Sequence, residues 1–225
     1  MASEVVLLTG FEPFGRSTVN SSQEIVRRLH GTQIVGKLVV GHTLPVSLRD
    51  IGAAIDHLLH TTNPKAIISL GQAGGASTIL LERFAVNLAD FSVPDNDGST
   101  VTDVSLEDSA PTAIASRLPL RAIEAALLDA GFPARLSNSA GTYLCNAAMY
   151  LFLIRTAQDI PCGFIHVPCL PEQVAAALAA ARNGTGPWPG STASMSLDLM
   201  VAAVQLALEV TIRHAADARA ALPVE

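Results

Sequence analysis

Val5-Val6-Leu7-Leu8-Thr9, followed by the turn-like Gly10-Phe11-Glu12-Pro13-Phe14-Gly15 and then by Asn20-Ser21-Ser22-Gln23-Glu24-Ile25-Val26-Arg27-Arg28-Leu29, is the stretch that decides the fold. The first run is short, uncharged and apolar throughout, the pattern of a strand buried on both faces. In the last, Ile25, Val26 and Leu29 share one helical face, with Ser21 and Ser22 as candidate caps in front of them. A buried strand that feeds an amphipathic helix is the repeating unit of α/β folds.

The same pattern recurs downstream. Ile34 to Val40 reads as a strand, and Ser47 with Asp50 three residues later forms a capping pair ahead of Ile51, Ile55, Leu58 and Leu59. Asn63-Pro64 ends that helix, because the residue before proline avoids helical geometry. Ala66 to Leu70 is another buried strand, and Leu80 to Leu88 is a longer extended segment. Residues 89–111 are polar and turn-rich around Pro94-Asp95-Asn96-Asp97-Gly98, and their length marks a functional loop. A helix over Leu120 to Ala130, a strand near Ala134 to Asn138, a helix from about Cys145 to Ala157 and a strand over Gly163 to Val167 follow. After the turn-rich Asn183 to Ser194, a long amphipathic helix from Met195 or Ser196 to His214 closes the pattern. The alternation predicts one α/β domain over residues 1–225, an open twisted sheet, mostly parallel or mixed, with helices on both faces in three layers. Binding sites in such sheets collect beyond the carboxyl ends of strands, here after Thr9, Leu70, Asn138 and Val167.

Composition narrows the partners. Hydrophobic residues make up 49% of the 225 positions but aromatic ones only 4%, so the core is aliphatic and an aromatic outside a core pattern needs another explanation. The net charge of −6, from 14 basic and 20 acidic residues without a Lys/Arg cluster, argues against nucleic acid. Glu4 beside a short apolar run lacks the basic flank of a signal peptide, and no uncharged run reaches membrane-spanning length. A cytoplasmic protein with no membrane partner is the expectation. Cys145, Cys162 and Cys169 are then read as reduced thiols.

Chemistry concentrates around one of these thiols. Ser139-Ala140-Gly141-Thr142-Tyr143-Leu144-Cys145-Asn146 puts small residues between a strand and a helix, so Cys145 falls in the helix's first turn. There the helix dipole and free N–H groups favour thiolate and can hold an oxyanion. Taken alone, Cys145 reads more readily as a packed core residue than as a nucleophile. His166 changes the balance: it ends the strand Gly163-Phe164-Ile165-His166-Val167 in the next βα unit, where an imidazole can take the thiol proton. Glu82, a carboxylate inside the apolar run Ile79-Leu80-Leu81-Glu82-Arg83-Phe84-Ala85-Val86, requires a partner, and His166 or neighbouring Arg83 can supply one. Adjacent strand residues face opposite sides, which favours the histidine.

Four segments together resemble the type I pyroglutamyl peptidases, also called pyrrolidone carboxyl peptidases. They are Thr9-Gly10-Phe11-Glu12-Pro13-Phe14-Gly15; Gly71-Gln72-Ala73-Gly74-Gly75 with Glu82-Arg83-Phe84-Ala85-Val86-Asn87; Ala140-Gly141-Thr142-Tyr143-Leu144-Cys145-Asn146; and Gly163-Phe164-Ile165-His166-Val167-Pro168 with Pro171-Glu172-Gln173. Pro94-Asp95-Asn96 and Ser196-Leu197-Asp198 also fit, so the likeness runs from residue 9 to about 198 in the family's order. The resemblance implies a Cys145, His166, Glu82 triad that releases pyroglutamate from blocked peptide or protein N-termini, a homotetramer in many members, and no metal or cofactor. It further implies that Phe11 and Phe14 line the pocket for the ring, that Tyr143 holds a position commonly occupied by Phe, and that Gln72 and Asn20 are polar contacts. Pyroglutamate is a flat, uncharged lactam, which suits apolar walls with a few amide hydrogen bonds.

The chain departs from the family where Ala76 and Ser92 stand at positions that usually hold arginine. Other readings compete. Cys162, His166 and Cys169 have the residue types of a zinc site but no second ligand pair, and Cys169 is a rival nucleophile. Gly71-Gln72-Ala73-Gly74-Gly75 could cradle a phosphate or nucleoside, although it lacks the P-loop lysine. A catalytically idle relative that only binds blocked N-termini also fits the missing arginines.

Overall fold

A computed structural model describes residues 4–15 and 17–220; the remainder of the expected 1–225 unit lies outside the described residues. The chain forms β1 (Val5–Phe11), α1 (Ser21–Leu29), β2 (Gln33–Ile34), β3 (Lys37–Leu44), α2 (Leu48–Thr62), β4 (Ala66–Gln72), β5 (Ile79–Glu82), β6 (Phe84–Val86), β7 (Ala113–Ala115), α3 (Leu120–Asp129), β8 (Ala134–Ser137), α4 (Leu144–Arg155), β9 (Cys162–Val167), α5 (Pro171–Arg182) and α6 (Leu197–Ala220). A seven-stranded sheet runs in the order β2-β3-β1-β4-β9-β5-β8, and β6 pairs with β7 in a small second sheet. The main sheet is mixed. β3, β1, β4 and β9 are parallel neighbours, whereas β2 is antiparallel to β3 and β5 is antiparallel to β9 but parallel to β8.

Helices cover both faces. On one, Ile25 and Val26 of α1, Ile123 and Leu127 of α3, and Met200, Val204 and Leu208 of α6 pack against Val6, Leu8, Ile68 and Ile165. On the other, Ile51 and Ile55 of α2 and most of α4 pack against Leu7, Ile67 and Phe164. Strand alternation therefore sends Leu7, Thr9 and Phe11, then Ile67, Ser69 and Gly71, then Cys162, Phe164 and His166, to the α2/α4 side. α4 is buried almost all round, from Leu144 through Leu153. The stretch Leu197–Ala218 of α6 is long and apolar enough by length and composition to cross a bilayer. Its Met200, Ala203, Val204, Ala207, Leu208 and Ile212 are instead buried in the core, as expected of an amphipathic core helix.

Local differences from the sequence reading have identifiable causes. The strand expected over Ile34 to Val40 is a hairpin, because Val35 and Gly36 both take positive φ (48° and 74°) in a two-residue turn. A β-branched residue at such a position gives no turn signal. The extended run from Leu80 breaks at Arg83: the chain leaves the main sheet after Glu82, and residues 84–86 pair with β7. Helix α5, absent from the expectation, starts with Pro171 in its first turn and runs through an alanine-rich segment without an apolar face. The cap of α1 is Asn20, not Ser21 or Ser22: its side chain accepts from the Ser22 N–H at 3.0 Å. The Ser22 hydroxyl in turn accepts from the Phe11 N–H at 3.0 Å and stitches the end of β1 to the start of α1. The capping by Ser47 and the left-handed stop at Asn63 match the reading.

The β1–α1 junction depends on Gly10, where a Cβ would sit 2.6 Å from the Ser22 carbonyl oxygen and 2.7 Å from its carbon. Both are backbone atoms, so relief requires the helix to move. Gly10→Ala is expected to destabilise the protein by about 1–3 kcal/mol, read as a lower urea midpoint at unchanged m-value; an unaltered midpoint would show that the junction yields freely.

Candidate active site

The site begins with sheet register. Leu80 lies opposite His166, and Glu82 opposite Phe164, across the antiparallel β5/β9 pair. Opposed residues share a face, so Glu82 and His166 are diagonal neighbours on the α2/α4 side. His166 Nδ1 donates to Glu82 Oε1 at 2.8 Å, with both side chains buried. Arg83 points elsewhere, toward Asn138, with Nη1 donating to Oδ1 at 3.4 Å. Glu82 Oε2 has no hydrogen-bond partner among the described residues. A fully buried carboxylate with one engaged oxygen depends heavily on that partner for compensation. The Phe164 ring meets the imidazole edge-on at 4.9 Å and limits its rotation.

Cys145 arrives by a different route from the one its sequence position suggests. β8, which precedes it, is not adjacent to β9 because β5 lies between them. The two residues meet because α4 crosses back over the sheet and packs on β4 and β9. Gly71, paired with His166 in register, makes room for the thiol: a Cβ there would lie 2.7 Å from Cys145 Sγ and 2.7 Å from the Phe164 ring. Asn146 fixes the start of α4. Fully buried, it accepts from the Val86 N–H at 2.8 Å and donates to the carbonyls of Val86 and Leu88, each at 2.9 Å. The helix turn that carries Cys145 is thus tied to the chain just beyond Glu82. The role of Asn146 was absent from the sequence expectations, where an amide inside an otherwise apolar helix is the one signal it carries.

The first helical hydrogen bond of α4 runs from the Ala147 N–H to the Tyr143 carbonyl at 3.1 Å, and no side chain caps the helix. The amides around Cys145 therefore remain outside the ladder. Burial by itself lowers the pKa of His166, but the charge and hydrogen bond of Cys145, then those of Glu82, outweigh it and raise it from 6.5 to about 10. With Nδ1 on Glu82, Nε2 is left to face the sulfur. Burial pushes the Cys162 thiol up to about 12 despite Arg117 and Thr156. Burial also raises Cys169, against a hydrogen bond from the Gly75 backbone. Neither setting suits a nucleophile or a thiolate metal ligand. Among the described residues no group of three or more His, Cys, Asp or Glu is placed to hold a metal ion. The Gly74-Gly75 turn leads into β5, not into a helix N-terminus, so the phosphate-loop reading lacks its anion site.

A cavity of about 180 Å³ opens beside Cys145 and His166, lined also by Phe11, Phe14, Val46, Gln72, Ala140, Tyr143 and Leu144. Tyr143 packs edge-on against Phe91 at 4.6 Å and tilted to Phe14 at 6.3 Å. Gln72 Oε1 accepts from the Ser21 N–H at 3.0 Å and from its hydroxyl at 3.3 Å, which assigns the amide orientation and leaves the NH₂ to donate. Asn20 does not line the cavity. It is buried, caps α1 and donates from Nδ2 to the Glu12 carbonyl at 3.0 Å, so it shapes the Phe11–Phe14 segment from behind. The resemblance implied a contact; the tertiary fold shows both ends of the amide committed elsewhere.

The family model described as Pyroglutamyl peptidase matches residues 4–214. The chain belongs to this family. It is 41% identical over 221 residues to the pyrrolidone-carboxylate peptidase of Enterobacter sp. (strain 638), covering 96% of each chain. The pyrrolidone carboxyl peptidase structure from Thermococcus litoralis superposes with a TM-score of 0.87 at 37% identity, covering 99% of both chains. A mutant of the enzyme from Pyrococcus furiosus gives 0.86 at 39% identity, covering 94% of this chain and 99% of the other. The family is one of cysteine peptidases, and the mixed α/β sheet agrees with its solved members. Neither Ala76 nor Ser92 lines the cavity.

Alkylation separates the thiols. Brief iodoacetamide treatment of the native protein near neutral pH is expected to modify Cys145 first and to leave Cys162 untouched until unfolding, as read by peptide mass mapping. Gly71→Ala, whose Cβ would lie 2.7 Å from the sulfur and displace it from the imidazole, is expected to slow Cys145 labelling. Equal labelling of Cys145 and Cys162 would contradict the assigned environments.

Proposed function

We propose that the protein hydrolyses the amide bond after an N-terminal pyroglutamyl residue of peptides and proteins, releasing free pyroglutamate, with Cys145 as nucleophile, His166 as acid and base, and Glu82 as its orienting carboxylate. The observation that carries this reading is the lining of the cavity beside the thiol: aromatic and aliphatic walls, one amide, and no carboxylate among the described lining residues. A free α-ammonium group would need an anionic partner there, whereas a lactam needs apolar walls and a hydrogen-bond donor. At about 180 Å³ the space is smaller than a drug-sized site, which suits one small ring. The relatives are named for the same acid, pyrrolidone carboxylate.

In this reaction Phe11, Phe14 and Tyr143 enclose the ring, and the Gln72 NH₂ donates to the lactam carbonyl. The sulfur, its proton held on His166, attacks the scissile carbonyl, and the C–S bond forms as the carbonyl becomes an oxyanion. The uncapped amides at the start of α4 receive that oxyanion. The imidazolium then gives its proton to the leaving amine as the C–N bond breaks, which leaves a thioester. Water, deprotonated by the neutral imidazole, hydrolyses it and restores the thiol. Because Ala76 and Ser92 provide no arginine, oxyanion stabilisation rests on the amides. The chain works without a metal or cofactor, as a cytoplasmic homotetramer of single-domain subunits, with no nucleic acid or membrane partner.

The deciding assay compares a pyroglutamyl chromogenic amide with its prolyl and unblocked glutamyl analogues. Cleavage confined to the first, surviving EDTA and lowered about 10⁴-fold or more in Cys145→Ser, is expected. Cleavage without preference for the blocked substrate would sink the specificity, and loss with chelator would argue for a metal. The pH profile tests the pair. Because His166 is raised above 6.5, its proton should persist through neutrality and be lost only on the alkaline side. Glu82→Gln removes one of the groups that raise it, so the alkaline limb of kcat/KM should move to lower pH; a stationary limb would disconnect Glu82 from the imidazole.

A further inference from the structure

The turn at residues 94–99 touches neither the thiol nor the imidazole, yet it is bonded to both aromatic sides of the cavity. Asn96 Nδ2 donates to Glu12 Oε1 at 2.8 Å and to the Pro13 carbonyl at 3.0 Å, which grips the segment between Phe11 and Phe14. Its own backbone N–H donates to the Val46 carbonyl at 2.9 Å, and the Val46 N–H donates to the same Glu12 oxygen at 3.0 Å. Val46 is itself a cavity wall. From the opposite side the Tyr143 hydroxyl donates to the Pro94 carbonyl at 3.1 Å. The turn is rigid because the buried Asp95 carboxylate accepts from the N–H groups of Leu48, Asp97 and Ser99 at 3.0, 3.0 and 2.8 Å.

We infer that Asn96 is a positioning residue for specificity: through Glu12 and Pro13 it fixes the spacing of Phe14 from the sheet-held Phe11 and from Tyr143, and so sets which lactam ring size the cavity accepts. The Tyr143 hydroxyl is the second latch of the same device. This rests on the pyroglutamyl reading and deepens it. A flat ring held between aromatic walls gains from contact only while the walls stay at van der Waals distance, since a gap of half an ångström to one ångström already forfeits a quarter to a half of each contact. Asn96 is exposed, as are the bonds it makes to Glu12 and Pro13. They determine where a surface segment lies, while the core beneath it is held by the sheet.

The test uses Asn96→Ala and Tyr143→Phe in the full chain with three readouts. For the pyroglutamyl amide, Asn96→Ala is expected to raise KM about 5–20-fold with kcat within about twofold, and Tyr143→Phe to act in the same direction but less. The ratio of kcat/KM for the six-membered lactam analogue to that for the five-membered one should rise in both variants, a change that general destabilisation does not produce. The alkylation rate of Cys145 without ligand should match the parent, while protection by 2-pyrrolidone should weaken in Asn96→Ala. If the parent cleaves the pyroglutamyl amide but both variants keep its KM and ring-size preference, the inference fails and the functional reading stands. If the parent neither cleaves it nor is protected by 2-pyrrolidone, both fail. Should Asn96→Ala not fold, Tyr143→Phe alone decides by the same ring-size ratio.

Discussion

A carboxylate and an imidazole buried against each other set the constraints that the rest of the site obeys. Glu82 is fully buried, and among the described residues its side chain hydrogen-bonds to His166 alone. Isolated burial of such a charge is expensive, and removing one partner of a buried pair typically costs about 3–5 kcal/mol. The pair holds only because the sheet brings the two side chains together. β5 runs against β9, and this reversal makes Glu82 and His166 diagonal neighbours on one face. In a sheet with β5 parallel to β9, the same residues would meet in a different register.

Once the imidazole is fixed, the sulfur must reach it, and the tightest packing in the site follows. Gly71 lies level with His166 on the adjacent strand, and the space a side chain would fill there is taken by Cys145 Sγ and the Phe164 ring. Helix α4 can lie that close because it is almost wholly apolar and is covered on its far side by the β6/β7 pair, to which Asn146 binds it. A buried helix held at its first turn keeps its free amides in one place, which a preorganised oxyanion site requires.

The ring cavity is built on another principle. Its walls come from strand ends, the loops beyond them and the start of α4, and side-chain amides join these pieces: Asn20 behind Glu12, Asn96 beside it, and Gln72 against Ser21. Amides suit this task because each offers both a donor and an acceptor and can join two backbone segments without bringing a charge into the cavity. The cavity wall thus carries no carboxylate among the described lining residues, while the buried His166–Glu82 pair stands at its edge.

The sequence by itself determined the strand–helix alternation, the thiol, histidine and carboxylate of the site, and the aromatic segment after β1. Each of these is a matter of residue type and local periodicity. A buried strand must be apolar, a helix must show a stripe, and a carboxylate in an apolar run must have a partner. The tertiary structure alone decided that β5 intervenes between β8 and β9, that α4 crosses back to bring Cys145 to His166, and that Asn20 serves as cap and brace instead of lining the cavity. It also decided the Val35-Gly36 hairpin, which carries no customary turn signal. The physical reason is common to all of these: pairing partners and hydrogen-bond commitments are relations between residues far apart in the chain, and propensity acts only between neighbours. Asn20 and Asn146 have the same side chain and both are buried; only the atoms around each amide make one the cap of a helix and the other its tether to the segment after Glu82.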